Sequence, residues 1–194
     1  MNNSHKSYEH CLKIHAIDQH RAEHPMKSIN EYTDQVLQWI QPKKFRGEYE
    51  LRGGDEVFVR LHRDGAWGSQ IVAESANGSW ILKRKSFGQT IAILDFEAKS
   101  ELAIVKRGMG GQSTLRTLDS REYSWRCTSF WRDVWAWFNN EDTLLLQLMR
   151  GSRVQLEPTA HDVPDLALLA MLGWYLHKQQ EEEATVAAVV PVIV

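Results

Sequence analysis

From Leu166 to Leu176 the chain reads Leu-Ala-Leu-Leu-Ala-Met-Leu-Gly-Trp-Tyr-Leu, a run without a charged side chain. Asp162 can cap a helix whose first turn holds Pro164 and Asp165, a fixed φ and a negative charge that both suit an N-terminal end. The helix predicted over residues 163–180 is apolar on every side. It has no face to offer water and must be surrounded. Crossing a bilayer takes about 20 apolar residues, so the run is too short to be transmembrane. The rival, an anchor lying in a membrane, is bounded tightly by Asp165 and by the charged run Lys178 to Glu183.

What surrounds the helix follows from the residues before it. From Phe45 onward the hydrophobic period is two. Turn residues recur at Gly53-Gly54-Asp55, Arg63-Asp64-Gly65, Ala76-Asn77-Gly78, Phe87-Gly88, Ala98-Lys99-Ser100, Gly108 to Gly111, Asp119-Ser120, Asn139 to Asp142 and Gly151-Ser152. Between them Val57, Val59 and Leu61, Trp80 and Leu82, Tyr123, Trp125 and Cys127, Trp135 and Trp137, Leu144, Leu146 and Leu148, and Val154 and Leu156 each line one face of a strand. The interval from Asp119 to Asn139 is double length, which implies a further turn near Phe130 to Asp133. About eleven or twelve strands result, too many for an open sheet with two free edges, and closure is the expected solution. A barrel that wide cannot be filled by its own side chains and needs a plug. The fold class expected is therefore mostly β, a closed antiparallel barrel of about 12 strands around a C-terminal hydrophobic helix.

Ahead of the strands, Ser28 and Glu31 have capping-box spacing, and Ile29, Tyr32, Val36, Trp39 and Ile40 recur at helical intervals until Pro42. A short amphipathic helix over residues 28–41 is expected. Residues 1–27 hold five of the eight histidines, His5, His10, His15, His20 and His24, with little to bury. The five-residue spacing of the first four places neighbours about 140° apart on a helix, so only His20 and His24 share a face, and no metal site is assigned. A mobile polar extension is expected there, or a start upstream of the true one at Met26. The barrel domain then occupies 28–183, and 184–194 form an apolar, β-branched tail that can add a strand, bind a partner or fray.

The meander from Phe45 to Pro158 followed by a hydrophobic helix resembles the tubby-like superfamily, which includes tubby C-terminal domains, LURP-one-related proteins and phospholipid scramblases. The local texture Phe130-Trp131-Arg132-Asp133-Val134-Trp135-Ala136-Trp137 and Leu172-Gly173-Trp174-Tyr175-Leu176 is similar as well. The resemblance implies a twelve-stranded barrel enclosing the helix. For tubby-type members it implies phosphoinositide headgroups held by basic surface residues, and for scramblases an association with calcium and membranes. No functional residue is carried over to a position here.

Motifs for chemistry are sparse. Gly108-Met109-Gly110-Gly111-Gln112-Ser113-Thr114 lacks the lysine of a phosphate loop and is followed by a strand rather than a helix, so it reads as a hairpin turn. His62, His161 and His177 stand apart from any nucleophile pattern; no catalytic residue, metal ligand or cofactor is assigned. Two cysteines, Cys11 and Cys127, make no disulfide framework and suit a reducing compartment. The polar N-terminus lacks the apolar stretch of a signal peptide, and a cytoplasmic location, peripheral to a membrane, is expected.

Net charge is -2, yet residues 43–85 carry nine basic and six acidic side chains. Lys43, Lys44, Lys83 and Lys85 are the candidate ligand-binding residues. Arg84 falls on the opposite strand face from Lys83 and Lys85, with Trp80 and Leu82, so the three form no flat patch. Such lysines also serve as solvated strand ends and edge protection. Nucleic acid is not expected, because it calls for exposed aromatics interleaved with a stronger basic stripe; the cluster Trp125, Phe130, Trp131, Trp135 and Trp137 could form a ligand-stacking surface, but has an easier use in packing against the helix. Two readings stay open: a non-enzymatic binding module for anionic lipid headgroups at a membrane surface, or a structural or protein-interaction domain without lipid affinity. The partner in the second would dock on the N-terminal helix or on the tail after Glu183.

Overall fold

The computed structural model describes residues 26–33, 35–42, 47–64, 70–85 and 89–189. Twelve strands follow one another: β1 (Val36–Ile40), β2 (Glu48–Gly53), β3 (Glu56–Asp64), β4 (Gln70–Ser75), β5 (Gly78–Lys85), β6 (Thr90–Asp95), β7 (Glu101–Arg107), β8 (Ser113–Thr117), β9 (Glu122–Ser129), β10 (Val134–Asn139), β11 (Leu144–Met149) and β12 (Arg153–Leu156). Each pairs antiparallel with its sequence neighbours, and β1 also pairs with β12, so the sheet is a closed barrel. The inferred turn at Phe130 to Asp133 separates β9 from β10. One helix, α1 (Leu166–Val189), runs inside.

The expected N-terminal helix over 28–41 is not formed. One 3-10 turn, Ile29–Tyr32, is followed by β1. Ser28 makes no capping bond to the backbone. The reason lies in closure: without β1, strands β2 and β12 would each expose a row of unpaired backbone N–H and C=O groups. Gln38 pairs with Arg52 on one side and Arg153 on the other. Leu37 and Trp39 then point inward, and Val36, which the helical reading counted as core, is 53% exposed. The 3-10 turn plugs the end where α1 enters. Ile29 is buried, Tyr32 meets Phe58 edge to face at 4.5 Å, and Asn30 Nδ2 donates to the carbonyls of His161 at 2.8 Å and Val163 at 2.9 Å.

Two further expectations are corrected. The residue before the helix is Asp165, whose carbonyl accepts from Leu169 N at 2.8 Å, and Asp162 lies outside it in a turn. The helix also runs nine residues past Gln180, so the first part of the supposed tail is helical. In β3, the pairing shifts register between Leu51 and Arg52, opposite Val57 to Val59. That bulge turns Phe58 inward beside Val59 and Leu61 and leaves Val57 half-buried.

The core is the space between strands and helix. Leu166, Leu169, Met171, Leu172 and Leu176 are fully enclosed by inward side chains that include Leu51, Ile91, Ile93, Leu115 and Leu146. Trp174 stacks on Trp39 at 5.5 Å with the planes 9° apart, and Trp125 lies tilted against Trp137 at 5.3 Å. Large aromatic side chains fill the annulus that strand side chains alone would leave open in so wide a barrel.

Candidate binding surface at the helix-exit end

The hairpins β1–β2, β3–β4, β5–β6, β7–β8, β9–β10 and β11–β12 all turn at one end of the barrel, and α1 emerges among them. At the opposite end, Asp165 accepts a hydrogen bond from the Tyr123 hydroxyl at 2.8 Å and an ion pair from Arg121 at 3.0 Å. Burial raises the Asp165 carboxyl above its ordinary value and pushes the Tyr123 hydroxyl up too.

At the exit, arginines from alternate strands close on the helix. Arg63 of β3 reaches Glu182 at 2.8 Å, and Arg84 of β5 donates to the Tyr175 hydroxyl at 2.8 Å. Arg107 of β7 grips both carboxylate oxygens of Glu183 at 2.7 and 2.9 Å. Those bonds hold the Glu183 carboxyl below its ordinary value. Arg84 thus faces inward, as strand alternation requires. Across the mouth, Gln180 donates to the Gly111 carbonyl at 2.9 Å, and His177 Nε2 lies 3.1 Å from Asp133 Oδ2. Lys178 pairs with Glu181 at 2.6 Å. The three consecutive glutamates of the helix are therefore each matched by a cation.

Lys83 and Lys85 are exposed on the outer face near this end. Lys85 reaches Glu101 at 2.5 Å. Thr90 pairs with Lys85 on one side and Lys106 on the other, which places exposed Lys106 about 10 Å from Lys85, two strand spacings away. Neither Lys83 nor Lys106 forms an ion pair with a described residue. Lys43 and Lys44 lie outside the described residues. Lys106 was missed because its neighbourhood to Lys85 depends on the register across β6; only its outward direction, opposite to Val105, is legible in the sequence.

The aromatic cluster divides. Trp125 and Trp137 are fully buried, but Phe130 and Trp131 are 82% and 93% exposed at the tip of the β9–β10 hairpin. Packing against the helix is corrected for these two, because the turn that joins β9 to β10 carries them beyond the rim. Met109, 94% exposed, occupies the neighbouring β7–β8 tip, where Met109–Gly111 form a 3-10 turn leading into β8, the hairpin expected of this glycine-rich stretch.

Among the described residues no group of three or more His, Cys, Asp or Glu side chains is placed to hold a metal ion. His177 has carboxylates at both ring nitrogens, Asp133 at 3.1 Å and Glu181 at 3.6 Å. No helix among the described residues is long and apolar enough to cross a membrane. No family model matches the chain, and no curated protein or solved structure matches it.

Proposed function

We propose that the domain is a non-enzymatic binding module that docks on anionic lipid headgroups at a membrane surface, acting peripherally. The observation that carries the reading is the group Lys83, Lys85 and Lys106 on the outer face of β5 and β7, beside the helix-exit end, in which Lys85 is held by Glu101 while Lys83 and Lys106 form no ion pair with a described residue. Ammonium groups of this kind attract phosphate without a shaped pocket, over a range of about 10 Å at 0.1 M salt. The resemblance to tubby-like domains, which implies headgroup binding by basic residues on the outer surface of a barrel, supports the same reading. Lys43 and Lys44 belong to the proposal by their sequence position alone, between β1 and β2.

Vesicle sedimentation tests it. Binding is expected to phosphatidylcholine vesicles containing phosphatidylserine or a phosphoinositide, to weaken with added salt, and to fall when Lys43, Lys44, Lys83 and Lys85 are replaced by glutamine. Equal binding of parent and variant at low salt would leave the protein-interaction reading in its place.

A further inference from the structure

The β9–β10 tip differs from an ordinary loop in being braced. Asp133, its last residue, adopts φ +51 and donates its N–H to the Phe130 carbonyl at 3.2 Å, closing the turn. The Asp133 carboxylate accepts from Trp135 Nε1 at 3.2 Å and faces His177 of the central helix. Thr128 Oγ1 bonds the Val134 carbonyl at 3.2 Å. Phe130 and Trp131 meet each other edge to face at 5.8 Å and otherwise face solvent. Two large aromatics are thus held in water on a rigid support, so little ordering entropy is lost when they become buried.

Their surroundings indicate in what. The three consecutive tips β7–β8, β9–β10 and β11–β12 carry Met109, then Phe130, Trp131 and Arg132, then Arg150, with Arg153 at the start of β12. The one carboxylate among them is Asp133, already engaged by Trp135 and His177. These residues sit on hairpin tips at the end of the barrel from which the helix emerges. The helix leaves the barrel at the same end, and its last residues, from Ala184 to Val189, include no charged residue. Six residues of helix beyond Glu183 advance about 9 Å. Exposed tryptophan, phenylalanine and methionine flanked by arginine, together with an uncharged chain segment, is the chemistry of the boundary between lipid headgroups and acyl chains.

We propose that the helix-exit end is a membrane-interface anchor: Phe130 and Trp131 enter the headgroup–acyl boundary of a phospholipid bilayer, Met109 lies beside them, and Arg132 and Arg150 meet phosphates. The anchor deepens the reading above, on which the module works at a membrane, but it acts by insertion and not by charge alone.

The test compares the parent, Phe130→Ser/Trp131→Ser, and Lys83→Gln/Lys85→Gln/Lys106→Gln on phosphatidylcholine vesicles with and without phosphatidylserine. Thermal melting serves as the folding control, since the two aromatics are 82% and 93% exposed. The aromatic variant is expected to bind both vesicle types about tenfold more weakly or worse, whereas the lysine variant loses only the increment that phosphatidylserine adds. Phospholipid brominated on its acyl chains is expected to quench the fluorescence of bound parent more than that of Trp131→Phe. Unchanged binding by a folded aromatic variant, or equal quenching of parent and Trp131→Phe, would overturn the anchor. Loss of the lysine effect with the aromatic effect intact would overturn the headgroup reading alone. A parent that binds no vesicle overturns both, and a tip-dependent dimer in sedimentation velocity would assign the surface to a second copy.

Discussion

A methyl group placed on Gly173 would lie 2.9 Å from Cζ3 of Trp125 and 3.1 Å from Nε1 of Trp137. The central helix therefore approaches the β9–β10 wall as closely as its backbone permits, with two fully buried indoles resting where a side chain would stand.

Gly173→Ala decides between two opposed effects. Alanine improves helix propensity by about 1 kcal/mol. Overpacking a close contact against rings that have nowhere to retreat costs about 1–3 kcal/mol. We expect net destabilisation, read as a lower midpoint in urea; a higher midpoint would mean that the indoles can give way.

This contact also marks what the sequence discloses. The uncharged run around Gly173 requires enclosure, and the turn spacing supplies the strands that enclose it, because both depend on local periodicity. Val36, Trp39 and Ile40 mislead for a physical reason: five residues satisfy a helical and a strand pattern alike, and the edges of β2 and β12, distant in sequence, choose the strand. Lys106 joins Lys85 only through the register across β6. Phe130 and Trp131 belong to a run whose later members, Trp135 and Trp137, face inward or are buried. Their exposure follows from where the turn falls, which composition does not reveal.

The strand at Val36–Ile40 makes a prediction opposite to that of a helix. With Leu37 at 0% exposure and Val36 at 53%, Leu37→Asp is expected to prevent soluble folding, and Val36→Asp to change stability by less than about 0.5 kcal/mol. A helix burying Ile29, Tyr32, Val36 and Trp39 would reverse that order. Soluble yield and urea midpoints of the two variants separate the cases.

Leu169 sits wholly inside the barrel. An unpaired carboxylate there has no water and no counter-ion, and the penalty of several kcal/mol takes up much of the roughly 5–15 kcal/mol by which domains are stable. Leu169→Asp should therefore fail to accumulate as a folded, cooperatively melting protein. A soluble variant with a single sharp transition would show that the helix can leave the barrel while the strands remain closed.

The Arg107–Glu183 pair gives a pH dependence of defined sign. Because the arginine holds the Glu183 carboxyl below its ordinary 4.5, the pair contributes stability that is complete above that value and is lost as pH falls through the lowered one. Glu183 is more than half exposed, so solvent screening limits the effect to less than about 1 kcal/mol. Asp165 acts in the other sense. Burial raises its carboxyl above 3.8, and its ionisation removes stability as pH climbs past that value. The difference between parent and Glu183→Gln cancels the Asp165 contribution, which both share. We expect Glu183→Gln to be slightly less stable than the parent in urea near pH 7 and the two to converge as pH falls below the lowered Glu183 value. A gap that persists at the lower pH would show that the glutamate stabilises the exit by packing rather than by its charge.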